Sequence, residues 1–489
     1  MIFTIDAGFP GSDEVQQFYY DNVTSILTNS QGQVYEYPQD SVATPLFEGK
    51  AISFSKDNPL KKSRLVTKLK IQLGLSCNYS CDYCSQKFVE RADETNKNDI
   101  EPFLEKIESL EFDEELGLTI EFWGGEPLVY WKTLKPLAES LLEKFSLWAR
   151  PPVFSIITNG SLLTEEICAW LYYMGFNVSI SHDGPGQYLR GPDPFDDPEK
   201  KATILEFYEL MRPLNRISFN AMLTVKNSSR KEIHEWFKNL TNDENVMLGE
   251  GGFVDAYDED GVNSSMLLKS EHFAFRQNEF KYIHETDGDI GFENVLRKID
   301  TFIASIMMHK NSDQLVQKCG MDNPKTIAVD LKGNVVTCQN VSSVQISHNG
   351  ESHLGGNIED IENVEIKTST HWTNRKDCAN CPVLHICQGS CMFLDGEHWD
   401  ISCNNAYSDA IVLFCVAFER ITGGWIPLHI LNDHLPPERQ DIWGMNLIHE
   451  ETPRKKIIPI TVVTEKNKTI DDITVYGKAE IKENYNESN

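Results

Sequence analysis

The chain has 489 residues, 40% of them hydrophobic, and a formal net charge of −29. That length exceeds the usual single domain, so two or three are expected. The acidity opposes binding to a nucleic-acid backbone, which needs clustered Lys and Arg. No run of about 18 apolar residues marks a membrane span, and Met1–Asp6 lacks the basic and apolar regions of a signal peptide. Twelve cysteines in such a chain predict metal ligation in a reducing compartment, the cytoplasm, rather than disulfides. Residues 1–65 hold turn signals (Phe9–Pro10–Gly11, Asn29–Ser30–Gln31–Gly32) and the aromatics Tyr35, Tyr37 and Phe47, which suit a small β-unit. They read either as a peptide-recognition element or as a plain extension packed on the next domain.

An alternating run, Leu69, Ile71, Leu73, Leu75, predicts a half-buried strand. Directly after it come Cys77, Cys81 and Cys84, a C-x3-C-x2-C triad with Tyr83 between the last two. The cysteines therefore fall in a loop at a strand's C-terminal end, where β/α folds place their chemistry. Three thiolates cannot complete a four-iron cluster, and the iron left open is a catalytic position. A zinc knuckle is the competing reading, but zinc takes an even set of Cys or Cys/His pairs and no His lies nearby. From here to about His309 strand and helix patterns alternate. Strands are predicted at 118–123, 153–157, 177–181, 217–225 and 246–254. Helices are predicted at 100–112, 131–145, 164–174, 200–210 and 230–240. Repeated βα units force a parallel sheet with helices on one face.

The triad resembles that of the radical S-adenosylmethionine (SAM) family, and the six βα units resemble that family's partial (β/α)6, TIM-like barrel. Later motifs follow the same pattern. Gly124–Gly125–Glu126–Pro127 after the second strand matches the family's GGEP segment, which implies a carboxylate accepting from the SAM ammonium and glycines allowing close backbone approach. Thr158–Asn159–Gly160 after the third strand implies contacts near the SAM ribose and methionine. Ser181, His182, Asp183 and Gly184 resemble the S-x-D-G segment; Ser181 would bind ribose or carboxylate. Arg190 reads either as the carboxylate's partner or as a surface arginine in a Pro/Gly loop, because its spacing from Asp183 is short for the family.

The next cysteines are Cys319, then Cys338 at the end of a strand led by the turn at Gly333, then Cys378, Cys381, Cys387, Cys391 and Cys403. Their order and spacing resemble the seven-cysteine SPASM domain, a cysteine-rich region with a small β-hairpin and helices; paired zinc ribbons are the competing reading. The resemblance implies two auxiliary [4Fe–4S] clusters, one on Cys378, Cys381, Cys387 and Cys403, the other on Cys319, Cys338 and Cys391. Lys325 stands where some members carry a fourth cysteine. That leaves an iron open, or ligated by Cys415, Asp322 or another side chain. Cys168 and Cys415 sit in apolar helical runs and read as packing residues. Sulfatase-maturing members carry a basic Asp directly after the hairpin cysteine; here it is Gln339, so the catalytic base is not identified. Trp425, Trp443 and the strand-like Lys456–Val463 predict folded structure beyond residue 420, where an edge strand is a further candidate for peptide pairing; the polar end, Lys478–Asn489, is expected to fray.

The expected organisation is an α/β chain: an N-terminal extension (1–65), a radical SAM partial barrel (66–310), a SPASM domain (311–420) and a C-terminal extension (421–489). The resemblance implies three [4Fe–4S] clusters and SAM as cofactors, reductive cleavage of SAM to a 5′-deoxyadenosyl radical, and hydrogen abstraction. It further implies an oxidative cross-link (C–C, C–O or thioether) in a ribosomally made precursor peptide, with a flavodoxin or ferredoxin as electron donor. A maturase of a folded protein or of a redox-cofactor precursor peptide, a peptide epimerase, and a non-enzymatic iron–sulfur or zinc scaffold are the alternatives.

Overall fold

The computed structural model describes residues 1–38, 50, 52–249, 251–286, 290–347, 350–368 and 370–445. Phe47, the run 456–463 and the tail 478–489 lie outside them.

Three strands, β1 (Ile2–Gly8), β2 (Val15–Asp21) and β3 (Ile26–Asn29), open the chain, followed by the short β4 (Leu60–Lys61). The barrel strands are β5 (Lys68–Gln72), β6 (Thr119–Trp123), β7 (Val153–Thr158), β8 (Asn177–Ser181) and β9 (Ile217–Asn220). Between and after them run α1 (Ile100–Lys106), α2 (Trp131–Lys144), α3 (Glu165–Tyr173), α4 (Pro198–Met211) and α5 (Arg230–Thr241). Thr164, Asp197 and Ser229 cap the last three, each side chain accepting from a first-turn N–H. Every second strand residue (Ile120 and Phe122, Phe154 and Ile156, Val178 and Ile180) is buried, while the intervening Glu121, Ser155 and Ser179 are only half-buried. They line a cavity of about 1040 Å³ on the sheet's inner face.

The sheet departs from the six-unit expectation in two ways. The fifth strand stops at Asn220, and the described residues of the run 246–254 make only isolated bridges, such as Phe219 to Leu248 and Leu223 to Phe253. Gly249, Gly251 and Gly252 interrupt that run, and Gly251 sits at φ +99°, a conformation that no strand continues. On the other edge, β10 (Thr326–Asp330) pairs in parallel with β5 and carries the antiparallel β11 (Asn334–Val336) and β12 (Leu354–Asn357). The hairpin predicted at Gly333 forms, but as an extension of the barrel sheet: its eight strands run β12-β11-β10-β5-β6-β7-β8-β9.

Beyond the barrel come α6 (Glu259–Ser265), α7 (Lys269–Glu285) and α8 (Glu293–Met307); beyond β12, the short β13 (Glu365–Ile366), α9 (Lys376–Ala379), α10 (Leu384–Cys387) and α11 (Gly396–Thr422). The last elements are β14 (Ile426–Leu431) and α12 (Pro437–Gln440). β14 pairs with β1, so both ends of the described chain build one four-stranded antiparallel sheet, β14-β1-β2-β3. That sheet packs on α11 through rings: Phe18 against Phe418 (5.0 Å between centroids) and Tyr20 against Phe414 (5.6 Å). By length and composition α11 is apolar enough to cross a membrane, but 83% of its apolar window is buried inside the protein, so it is a core helix. Arg230 of α5, fully buried, pairs with Glu279 of α7 at 2.8 Å and Asp409 of α11 at 2.7 Å, tying the barrel to the cysteine-rich half. Cys168 and Cys415 are buried in the hydrophobic core, as their apolar neighbours predict.

Candidate functional site

Cys77, Cys81 and Cys84 occupy the loop after β5. The Ser76 N–H donates to the Tyr130 hydroxyl at 2.7 Å, and Tyr130 donates to Glu94 at 2.6 Å. Burial and the Glu94 carboxylate push the Tyr130 phenol up to about 12, so it stays a donor. Between Cys81 and Cys84, the Asp82 N–H donates to the Leu189 carbonyl at 2.9 Å. Cys77 is exposed, while Cys81 and Cys84 are half-buried. Burial pushes the Cys81 thiol up to about 12, against the pull of nearby Arg190; the like-charged Cys84 and Cys77 add to the rise. Thiols in this setting become ligands when a bound metal supplies positive charge.

Gly124, Gly125 and Glu126 lie against this loop. The Gly125 N–H donates to the Gly74 carbonyl at 3.2 Å and that of Glu126 to the Ser76 carbonyl at 3.0 Å. A Cβ at Gly125 would stand 2.5 Å from the Ser76 oxygen. Here the glycine serves the approach of two loops to each other. Glu126 is 1% exposed. Its carboxylate accepts from the Leu128 N–H (3.0 Å), the Thr158 hydroxyl (2.7 Å) and the Asn159 N–H (2.7 Å). Glu126 thus clamps the third strand's turn to the GGEP segment. The Asn159 side chain donates in turn to Asn78 at 2.9 Å, between the first two cysteines. Ser181 ends β8, half-buried.

Arg190 is not left at the surface. Its Nε pairs with Asp183 at 3.0 Å, and its guanidinium lies 5.6 Å from the Tyr83 ring centroid. Tyr83 donates its hydroxyl to the same Asp183 carboxylate, and the Met222 N–H donates to the other carboxylate oxygen at 2.8 Å. Tyr83 and Arg190 therefore brace the cysteine loop against the turn after β8. The sequence pattern separates these residues and says nothing of Asp183 as their shared partner.

The remaining cysteines converge in two places. Cys378, Cys381, Cys387 and Cys403 line one small cavity with Trp399, Tyr407 and Arg439. Cys319, Cys338 and Cys391 line a second, of about 400 Å³, whose wall also holds Ser85, Phe88 and Val89 from the triad loop. The two groups are the two ligand sets that the resemblance implies. Burial pushes the Cys338, Cys381 and Cys391 thiols each up to about 12. Among the described residues no group of three or more His, Cys, Asp or Glu closes to the spacing of a single metal ion.

Gln339 also lines the larger cavity and is held from the barrel. Lys70 Nζ approaches its side-chain oxygen at 3.4 Å, and Gln72 donates to the carbonyls of Gln339 and Val341, each at 2.7 Å. Lys70 also pairs with Glu121 at 3.6 Å. Tyr257 donates to Cys391 Sγ at 3.3 Å. Of the proposed fourth ligands, Cys415 is fully buried in α11; Asp322, 2% exposed, accepts from the Gln317 N–H at 2.8 Å and contacts His371 at 3.3 Å. Lys70, Gln72, Tyr257 and Arg439 carried no sequence signal, because each is a lone residue brought in by tertiary packing.

Residues 71–240 match the family described as the Radical SAM superfamily. A radical SAM cyclopropyl synthase of Paramaledivibacter caminithermalis is 25% identical over 78% of this chain and 76% of its own length. A cysteine-type anaerobic sulfatase-maturating enzyme of Clostridium perfringens is 22% identical over 64% of this chain and 85% of its own. The solved structure of anSMEcpe with bound AdoMet and Kp18Cys peptide shares the fold, with a TM-score of 0.52, 20% identity, and coverage of 73% of this chain and 99% of that one.

Proposed function

We propose that this chain, a radical SAM enzyme through its residues 71–240, modifies a ribosomally made precursor peptide and closes an oxidative cross-link (C–C, C–O or thioether) within it. The observation that carries this reading is the 400 Å³ cavity. Its lining joins Ser85, Phe88 and Val89, from the loop that follows Cys84, to Cys319, Cys338 and Cys391. A substrate side chain seated there would touch both the triad loop and the three-cysteine group. Phe88, Val341, Met392 and Phe393 give it apolar walls, with Gln339 and Asn340 as polar contacts.

When bound at Cys77, Cys81 and Cys84, a [4Fe–4S] cluster with SAM supplies the 5′-deoxyadenosyl radical that takes a hydrogen atom from substrate. The chain's own residues give that chemistry its geometry. Tyr130 and Glu94 fix Ser76; Glu126 locks the second and third strand turns together; Asp183, Tyr83 and Arg190 brace the far side of the loop. In this arrangement Glu126 positions the loops around SAM, and Gly124, Gly125, Thr158, Asn159 and Ser181 form the rim that SAM meets. The other cysteines would hold two auxiliary clusters, four ligands for one and three for the other, suited to accepting the electron that an oxidative cross-link releases. A flavodoxin or ferredoxin would supply the reducing electron, in the cytoplasm, where the thiols stay reduced.

The similarity to a structure that holds a peptide, and to a relative named for maturing sulfatases, supports a polypeptide substrate. Gln339 argues against sulfatase maturation: an amide cannot act as the carboxylate base that the resemblance places at this position. The test is the intact mass of candidate peptides encoded beside the gene, after anaerobic co-expression. Loss of two hydrogens is expected. Deuterium uptake from heavy water without net mass loss would favour epimerisation, and an unmodified peptide would favour a folded-protein or redox-cofactor-precursor substrate.

A further inference from the structure

The two auxiliary cysteine groups differ in what donates to their sulfurs. At the larger cavity the donors are neutral: the Tyr257 hydroxyl, 3.3 Å from Cys391 Sγ, and the Asn340 N–H, 3.5 Å from Cys338 Sγ; the cation nearby, Lys70, reaches Glu121 and the Gln339 side chain rather than a sulfur. At the four-cysteine cavity the donor is a cation. Arg439 Nη2 donates to Cys403 Sγ at 3.2 Å and to the Asn404 side-chain oxygen at 2.9 Å. The guanidinium lies 4.8 Å from the Tyr407 ring centroid, and the Tyr407 hydroxyl donates back to the Arg439 carbonyl at 2.6 Å. Tyr407 is 2% exposed and lines the same cavity. Arg439 is thus held at the sulfur from both of its ends.

A second cation, Arg375, stands near but is otherwise engaged. It lies over Trp399 and donates to the Leu394 and Met392 carbonyls, with Asp395 at 3.6 Å. Arg439 comes from α12, which lies past every cysteine in the sequence and follows the strand β14 that pairs with β1. The segment is fixed there by Gln440, whose side chain donates to the Asn432 and Leu435 carbonyls.

We propose that Arg439 sets the reduction potential of the site formed by Cys378, Cys381, Cys387 and Cys403, making it the stronger electron acceptor of the two auxiliary sites. The inference rests on the proposed function, in which these cysteines hold a cluster. A thiolate-ligated cluster gains negative charge on reduction, and hydrogen bonds to its sulfurs and net charge nearby are among the terms that set its potential. A charge-assisted donor is roughly twice as strong as a neutral one, and a guanidinium keeps its charge at any working pH. The site at the larger cavity, with its neutral donors, is then the harder of the two to reduce, so an electron released there runs on to the Arg439 site. Arg439 is a positioning and tuning residue in this account and touches no substrate.

The experiment is a potentiometric titration followed by electron paramagnetic resonance on the full-length, iron-loaded protein, comparing wild type with Arg439→Leu, Arg439→Lys and Tyr257→Phe. Arg439→Leu should move the higher auxiliary midpoint to lower potential with iron content unchanged. Arg439→Lys should recover part of the shift, and Tyr257→Phe should move only the other midpoint. An unchanged midpoint in iron-replete Arg439→Leu overturns the proposal. If that variant fails to hold iron, Arg439→Gln, which keeps a neutral donor and loses the charge, is read in its place, with the same shift expected and the same contradiction if none appears. Cys403→Ala separates the two layers: loss of one cluster's iron is expected, and full iron retention would overturn the cluster reading and the Arg439 assignment with it.

Discussion

The triad loop and the later cysteine region gather their thiols by different means. The triad is local: three cysteines lie within one loop, and Cys77 is exposed. Its shape comes from outside, through Glu126 and Tyr130 after β6, Asn159 after β7 and Asp183 after β8. The three-cysteine group is gathered from distant segments: Cys319 and Cys338 flank the β10–β11 hairpin, whose β10 pairs with β5, while Cys391 lies beyond α10. The difference teaches where each region is vulnerable. A local loop tolerates the loss of one ligand without unfolding; a site assembled by tertiary contacts is part of the core.

Removing the triad breaks the comparison most severely. If the two proposed auxiliary clusters form, Cys77/Cys81/Cys84→Ala should lose SAM cleavage entirely yet retain about two-thirds of the iron, the share of two clusters among three. Metal analysis of anaerobically reconstituted protein checks this, and loss of all iron would mean that the two regions are not independent. Gly125→Ala comes next. Its Cβ would stand 2.5 Å from the Ser76 carbonyl and 2.6 Å from that of Leu75, both backbone atoms that cannot swing aside. The triad's iron should fall several-fold while auxiliary iron stays, read by the same analysis.

A pH experiment sharpens the contrast from the auxiliary side. His272, on α7, contacts Ser408 of α11 at 2.9 Å. Burial first, then the charges of Arg276 and Arg439, lower its pKa from 6.5 to about 4. A depressed histidine stabilises the fold fully above its unfolded value and loses that contribution as pH falls from 6.5 through about 4. By pH 5 the loss is about 2 kcal/mol. His272→Gln should flatten the fall in melting temperature between pH 7 and pH 5; a parallel fall in variant and wild type would contradict it. The smallest effect is expected from Gln72→Ala, which removes two hydrogen bonds to the loop after Cys338, about 1–2 kcal/mol. Hydrogen exchange should show that loop opening while the triad loop is unchanged.

Much of this architecture was legible because it is periodic or local. Strands β5 to β8 and helices α2 to α5 follow alternation and three-to-four spacing to within a few residues. The run 246–254 misled because its apolar ends, Val246, Leu248, Phe253 and Val254, are buried as a strand's would be, while the glycines between them prevent the ladder. The pairing of β10 with β5 left no trace, since parallel register between remote segments has no short-range signature. The antiparallel pairing of β14 with β1 left none either, because the two strands lie at opposite ends of the described chain. In the site, cysteine spacing announced which thiols would gather, whereas Arg190 on Asp183, Lys70 and Gln72 on Gln339, and Arg439 on Cys403 exist only in the folded chain.

The most direct measurement is the product of SAM turnover. Iron-loaded protein, reduced by dithionite under anaerobic conditions and given SAM, should release 5′-deoxyadenosine and methionine. A fully iron-loaded sample that binds SAM but forms neither product would contradict the account at its centre.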